Sequence, residues 1–111
     1  MSDPRVLTLE AVLDDWISDL DMQGDFQSQG LERTEAFAAM VRQALGWIHC
    51  RVLVPGDLVE QGFVPWPGTP ERNARRFADS AAGMTEVTLP GDICWFDLGP
   101  AAREELTKLS T

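Results

Sequence analysis

Apolar residues recur at three- and four-residue spacing from Leu9 through Val12, Leu13, Trp16 and Ile17 to Leu20, with Glu10, Asp14, Ser18 and Asp21 between them. Side chains so spaced share one side of a helix, so the pattern predicts a first helix over about 9–22, capped by Thr8 and stopped by Gly24. A polar connection, 25–30, precedes a second stripe: Phe37, Met40, Val41, Ala44, Leu45 and Ile48. This stripe predicts a helix over about 33–51, whose far side includes Ala39 and Gly46, small enough for another backbone to come close. Pro55-Gly56-Asp57 reads as a turn, and Leu58 to Trp66 has strand character until Pro65-Trp66-Pro67-Gly68 ends it.

Thr69, Pro70 and Glu71 then open a third helix over about 70–82, with Gly83 as its stop. Its stripe of Ala74, Phe77, Ala78 and Ala81 is thin, so the helix is expected to lie lightly on the body, as a lid or lever. Thr85 to Leu89 reads as a short strand, Pro90-Gly91-Asp92 as a turn, and Ile93 to Leu98 as the final strand. Pro100 opens a last helix through Leu106 and Leu109. The 111 residues have room for one domain, 1–111, and the element pattern predicts an α+β fold, mainly helical. Leu58 to Val64 and Ile93 to Leu98 are expected to pair as a two-stranded antiparallel ribbon.

Two segments carry a resemblance to a known family. Leu58-Val59-Glu60-Gln61-Gly62 is similar to the first wing strand of the winged-helix superfamily. Trp95-Phe96-Asp97-Leu98-Gly99-Pro100-Ala101-Ala102-Arg103 is similar to its second wing strand and the turn into a closing helix. The resemblance implies a divergent winged-helix-like domain in which the helix at 33–51 is the recognition helix, with another helix inserted between the wing strands. In that family the recognition helix enters a major groove. This chain departs from the pattern: no separate short helix precedes the supposed recognition helix, and that helix is hardly basic.

Charge refines the picture. The net charge of −9 is uneven: residues 1–32 hold eight acids against Arg5 alone, 33–76 hold six arginines against four acids, and 77–111 hold six acids against Arg103 and Lys108. The front is therefore acidic, and the middle is the only mildly basic part. No apolar run approaches the roughly 18 residues of a membrane span, and no basic-then-apolar leader opens the chain. The expected setting is the cytoplasm, with no membrane partner. Cys50 and Cys94 are then expected as two buried, reduced thiols.

Chemistry is sparse. His49 is the only histidine, so a paired-histidine metal site is impossible, and neither metal nor cofactor is expected. Phosphate-loop and nucleophile-elbow patterns do not occur in the sequence. Arg72, Arg75 and Arg76 form the one basic cluster, with Arg75 placed to pair with Asp79. Trp16, Trp47 and Trp95 fall in periodic or strand segments and read as core or core-edge, whereas Trp66, between two prolines, reads equally as a rigid interface anchor or as a loop side chain folded back as a plug on the core.

The resulting expectation is a non-enzymatic protein-interaction module of the adaptor, inhibitor or immunity kind. Its partner would be another protein, met by Trp66, Asp14, Asp15 and Asp21, with a homodimer as a further option. The alternative is a winged-helix DNA-binding regulator contacting nucleic acid through Arg42, Gln43, Arg72 and Arg76.

Overall fold

The computed structural model describes residues 3–111; Met1 and Ser2, part of the segment read for a leader, lie outside them. The first predicted helix is two helices with a strand between. Helix α1, Pro4–Asp14, starts five residues early because Asp3 caps it, accepting the Arg5 N–H at 2.9 Å while Pro4 takes the first turn. Thr8 is no cap: it lies fully buried inside α1 and donates its hydroxyl to Asp25 Oδ2 at 2.9 Å.

The break after Asp14 follows from short polar side chains that offer the backbone another partner. Asp15 Oδ1 takes the Trp16 N–H at 2.7 Å, and Ile17–Ser18 extends as strand β1. Ser18 and Asp21 then form a reciprocal cap, with Asp21 N–H donating to Ser18 Oγ at 3.1 Å and Ser18 N–H to Asp21 Oδ2 at 3.0 Å. That cap opens helix α2, Asp19–Gln27, which runs straight through Gly24. Helix α3, Arg33–His49, closely follows the second predicted helix.

The sheet differs from the expected two-stranded ribbon: strands β2 (Leu53–Val59), β3 (Gly62–Pro65) and β4 (Trp95–Leu98) join β1 in one antiparallel sheet of order β1-β4-β2-β3. Leu58 and Val59 fold back on Phe63 and Gly62, so the turn is Glu60-Gln61, and β4 pairs instead with Leu53 to Gly56. Pro55-Gly56-Asp57, expected as a turn, is the middle of β2. Pro55 lacks an N–H, yet its carbonyl still accepts Trp66 N–H at 3.0 Å. Gly56 permits a close crossing, since a Cβ there would collide with the Val64 carbonyl oxygen and the Phe63 ring.

Helix α4, Pro70–Ala81, is capped by Thr69 as predicted, and α5 spans Ala102–Leu109. α4 is no loosely resting lid. Phe77 is fully buried with its ring 5.9 Å from Phe96, and Ala74 and Ala81 are buried beside it against α3. Leu9, Met22, Met40, Phe77 and Phe96 lie at the centre of a core shared by the helices and the sheet.

Thr85 to Leu89 forms no strand. Gln23, buried on α2, takes the place of a neighbouring strand: its Oε1 accepts Val87 N–H at 2.8 Å and its Nε2 donates to Val87 O at 3.2 Å. Asp19 does the same for the next segment, and its claim on Ile93 and Cys94 N–H leaves β4 to begin at Trp95.

Candidate functional site

The structure decides between the two readings of Trp66 and overturns the expectation for Trp16. Trp66 is 5 % exposed, so it belongs to the core and not to a docking loop. Its backbone is tied to Pro55 and its carbonyl accepts from Asn73 Nδ2 at 3.4 Å, while the Arg76 guanidinium carbon lies 3.9 Å from the centre of its ring. Trp16, expected in the core or at its edge, is 39 % exposed. Because α1 stops at Asp14, the Trp16 ring leaves the helical stripe and stacks on Phe63 of β3, centres 6.0 Å apart, with one edge over Gly62.

Around that stack lies an exposed apolar surface. Leu58 and Val59 are exposed on β2, and Val64, on β3, is 50 % exposed. Leu58 stands opposite Phe63, and Asp57 opposite Val64, so both faces of the projecting hairpin carry apolar side chains. Between Val52 and Trp66 the chain has no lysine or arginine, only Asp57 and Glu60. Asp14 and Asp15 flank the Trp16 side of this surface and share a shallow hollow with Asp97 and Leu98.

Two of the three expected partner acids therefore belong to one surface with Trp16. Asp21 does not join them: its carboxylate closes the α2 cap. The acid missed in the sequence is Asp19, fully buried, whose Oδ1 accepts from Leu20 and Gly91 N–H, both at 2.8 Å. Its Oδ2 accepts from Ile93 N–H at 2.6 Å and Cys94 N–H at 3.4 Å. Burial pushes the Asp19 carboxyl above its ordinary range, against the pull of these N–H groups. Asp25 is raised as well, by burial and then by the nearby charge of Asp21, with the Thr8 hydroxyl opposing. The Ser18-x-x-Asp21 spacing was the available signal for this helix start.

The expected nucleic-acid residues do not converge. Arg42 borders a groove between α3 and α4 with Phe37, Val41 and Ala78, whereas Gln43 borders a hollow between α3 and α5 with Trp47 and Glu105. Arg72 and Arg76 lie on α4 beside Arg75, Asp79 and Ser80. Among the described residues Arg75 makes no ion pair with Asp79; the ion pairs are Arg5 with Asp3, Arg33 with Glu86 and Lys108 with Glu104. Cys94 is buried as expected, and burial, with Asp19 adding, holds its thiol well above the usual range. Cys50 is exposed, contrary to expectation, at the end of α3.

Among the described residues no helix is long and apolar enough to cross a membrane, and no three His, Cys, Asp or Glu side chains are grouped as metal ligands. Compared with protein-family models, with curated proteins and with solved structures, the chain matches none.

Proposed function

We propose that this chain is a non-enzymatic protein-interaction module that holds a basic, apolar-containing segment of another protein on the β2–β3 hairpin and Trp16. One observation carries the reading. Of the five large apolar side chains that stand exposed among the described residues, Leu58, Val59 and Val64 belong to this one hairpin, shared between its two faces, and Trp16 stacks on its Phe63. A tryptophan packed on the hairpin supplies the kind of anchor that dominates interfaces. Asp14, Asp15, Asp57 and Glu60 rim it without a neighbouring cation on the hairpin, which favours a partner bearing lysine or arginine beside its apolar residues.

We also read the architecture as winged-helix-like. In support, α2 supplies the separate short helix ahead of α3 that the sequence had not displayed, and β2 and β4 pair as a ribbon after α3. β3 and α4 are then an insertion between the wing strands. The DNA-regulator alternative has this architecture in its favour and the packing against it. α4 lies against α3, the helix that would enter a groove, and the start of α3 presents Glu32 and Glu35.

The test is an NMR titration of the labelled protein with a synthetic peptide alternating lysine and valine. The expected result is shifts at the Trp16 indole and at Leu58–Val64, weakening as salt rises and lost in Val64→Glu at unchanged melting temperature. A glutamate–valine peptide should not bind. No shifts at the hairpin, or shifts elsewhere, would overturn the proposal, as would a concentration-dependent dimer abolished by Val64→Glu, which would assign the surface to a second copy.

A further inference from the structure

A separate cavity of about 230 Å³ opens at the other end of β2, where the end of α3 meets the loop before α4. Ile48, Leu53, Pro55 and Trp66 supply apolar walls, and Arg51 and Asn73 are the polar side chains on its lining. Arg51 is its only charged group, in a chain where acids outnumber bases two to one. Among the described residues its guanidinium has no ion-pair partner.

The backbone at Arg51 adds a second observation. Arg51 is the single non-glycine residue with positive φ, 63°, among the described residues. It ends α3 in a left-handed turn, with Val52 N–H donating to Trp47 O at 2.8 Å and Arg51 N–H to Ile48 O at 3.2 Å. Glycine is the usual occupant of such a position, because a Cβ is strained there. The carbonyl of Arg51 accepts Ala101 N–H at 3.0 Å and lies so near Gly99 that a Cβ on Gly99 would collide with it. The turn is thus locked from two sides, and its side chain is a charged one at a cavity rim where none would be the easier choice. Strained positions of this kind concentrate at functional sites.

We propose that this cavity binds a small aromatic monocarboxylate, its ring between Trp66 and the aliphatic walls and its carboxylate on the Arg51 guanidinium. An engineered cavity of about 150 Å³ takes up benzene, so this one has space for a ring with a short acid-bearing arm. The guanidinium matches a carboxylate with two parallel donors. No Asp or Glu lines the cavity to compete for it. Asn73 spends its Nδ2 on the Trp66 carbonyl, which leaves Oδ1 to accept a hydroxyl or amine on the ring.

The experiment compares 3-phenylpropanoate with its neutral amide by calorimetry and by NMR shifts at the Trp66 indole and the Asn73 side chain. The acid should bind at least about tenfold more tightly than the amide, as expected for a charge-assisted pair. Arg51→Gly and Arg51→Gln should both reduce that preference to under about twofold. The glycine variant should melt at the same temperature or higher, since glycine suits this turn. Equal binding of acid and amide, no binding of the acid, shifts away from Trp66 and Asn73, or a preference surviving in both variants would each overturn the proposal.

Discussion

Replacing Asp19 with asparagine keeps the shape of the side chain and removes half of its function. Both carboxylate oxygens accept backbone N–H groups: Leu20 and Gly91 on Oδ1, Ile93 and Cys94 on Oδ2. Whichever way an asparagine amide turns, its NH₂ faces two of these donors. Hydrogen bonds to a charged group contribute about 1.5–3 kcal/mol each, and a buried donor left unpaired costs about 1–3 kcal/mol. Relief from burying a charge offsets part of the loss. A net destabilisation of about 2–4 kcal/mol is expected, a large share of the roughly 5–15 kcal/mol typical of a domain. With a urea slope of about 1–3 kcal/mol per M, a 3 kcal/mol loss lowers the unfolding midpoint by about 1–3 M.

The pH dependence supplies the sharper check. Burial raises the folded-state value of the Asp19 carboxyl above 3.8, so the folded protein holds this proton more tightly than the unfolded chain does. As pH falls from neutral through that raised value toward 3.8, the wild type gains stability that Asp19→Asn cannot gain. The difference between the two proteins therefore widens toward acid. Paired urea titrations read by tryptophan fluorescence at neutral pH and near pH 4 measure it. A midpoint change within error at neutral pH, or a gap that narrows toward acid, would refute the reasoning.

Trp66→Ala should destabilise by about 3–5 kcal/mol in thermal unfolding, as removal of a buried aromatic ring does, and should leave peptide binding at the hairpin intact below the melting temperature. Gln23→Leu removes both partners of the Val87 backbone; a loss of about 2–4 kcal/mol and faster amide hydrogen exchange at Val87 are expected. Unchanged exchange there would show that Gln23 does not hold that segment.

Elements fixed by local chemistry were legible in the sequence. Thr69 and Pro70 started α4 where expected, and the apolar stripe from Phe37 to Ile48 located α3. What escaped was non-local. Pro55-Gly56-Asp57 has the composition of a turn, but Gly56 serves a crossing with Phe63 and Val64 that no local pattern displays. Thr85 to Leu89 has strand composition, yet its backbone partner is the Gln23 side chain, 64 positions away from Val87. Charge alone marks the acids Asp14 and Asp15, but Phe63 comes to their neighbour Trp16 only through the folding of the hairpin.

The exposure of Trp16 and the division of the first expected helix have one cause. Spacing alone puts Trp16 on the same stripe as Val12 and Leu20, and a helix that continued would bury it. Asp15 and the Ser18–Asp21 cap stop the helix first, and both are local features visible in the sequence. Once α1 ends at Asp14, Ile17 pairs with Phe96 in the sheet and the intervening Trp16 is carried outward onto Phe63. The same break frees α2 to present Asp19 and Gln23 to the segment from Val87 to Cys94, which fixes the start of β4. A few short polar side chains thus decide both which aromatic ring stands exposed and how the strand behind it is held. Cap residues interrupting an apolar stripe therefore decide more of this chain's exposed surface than the stripe itself.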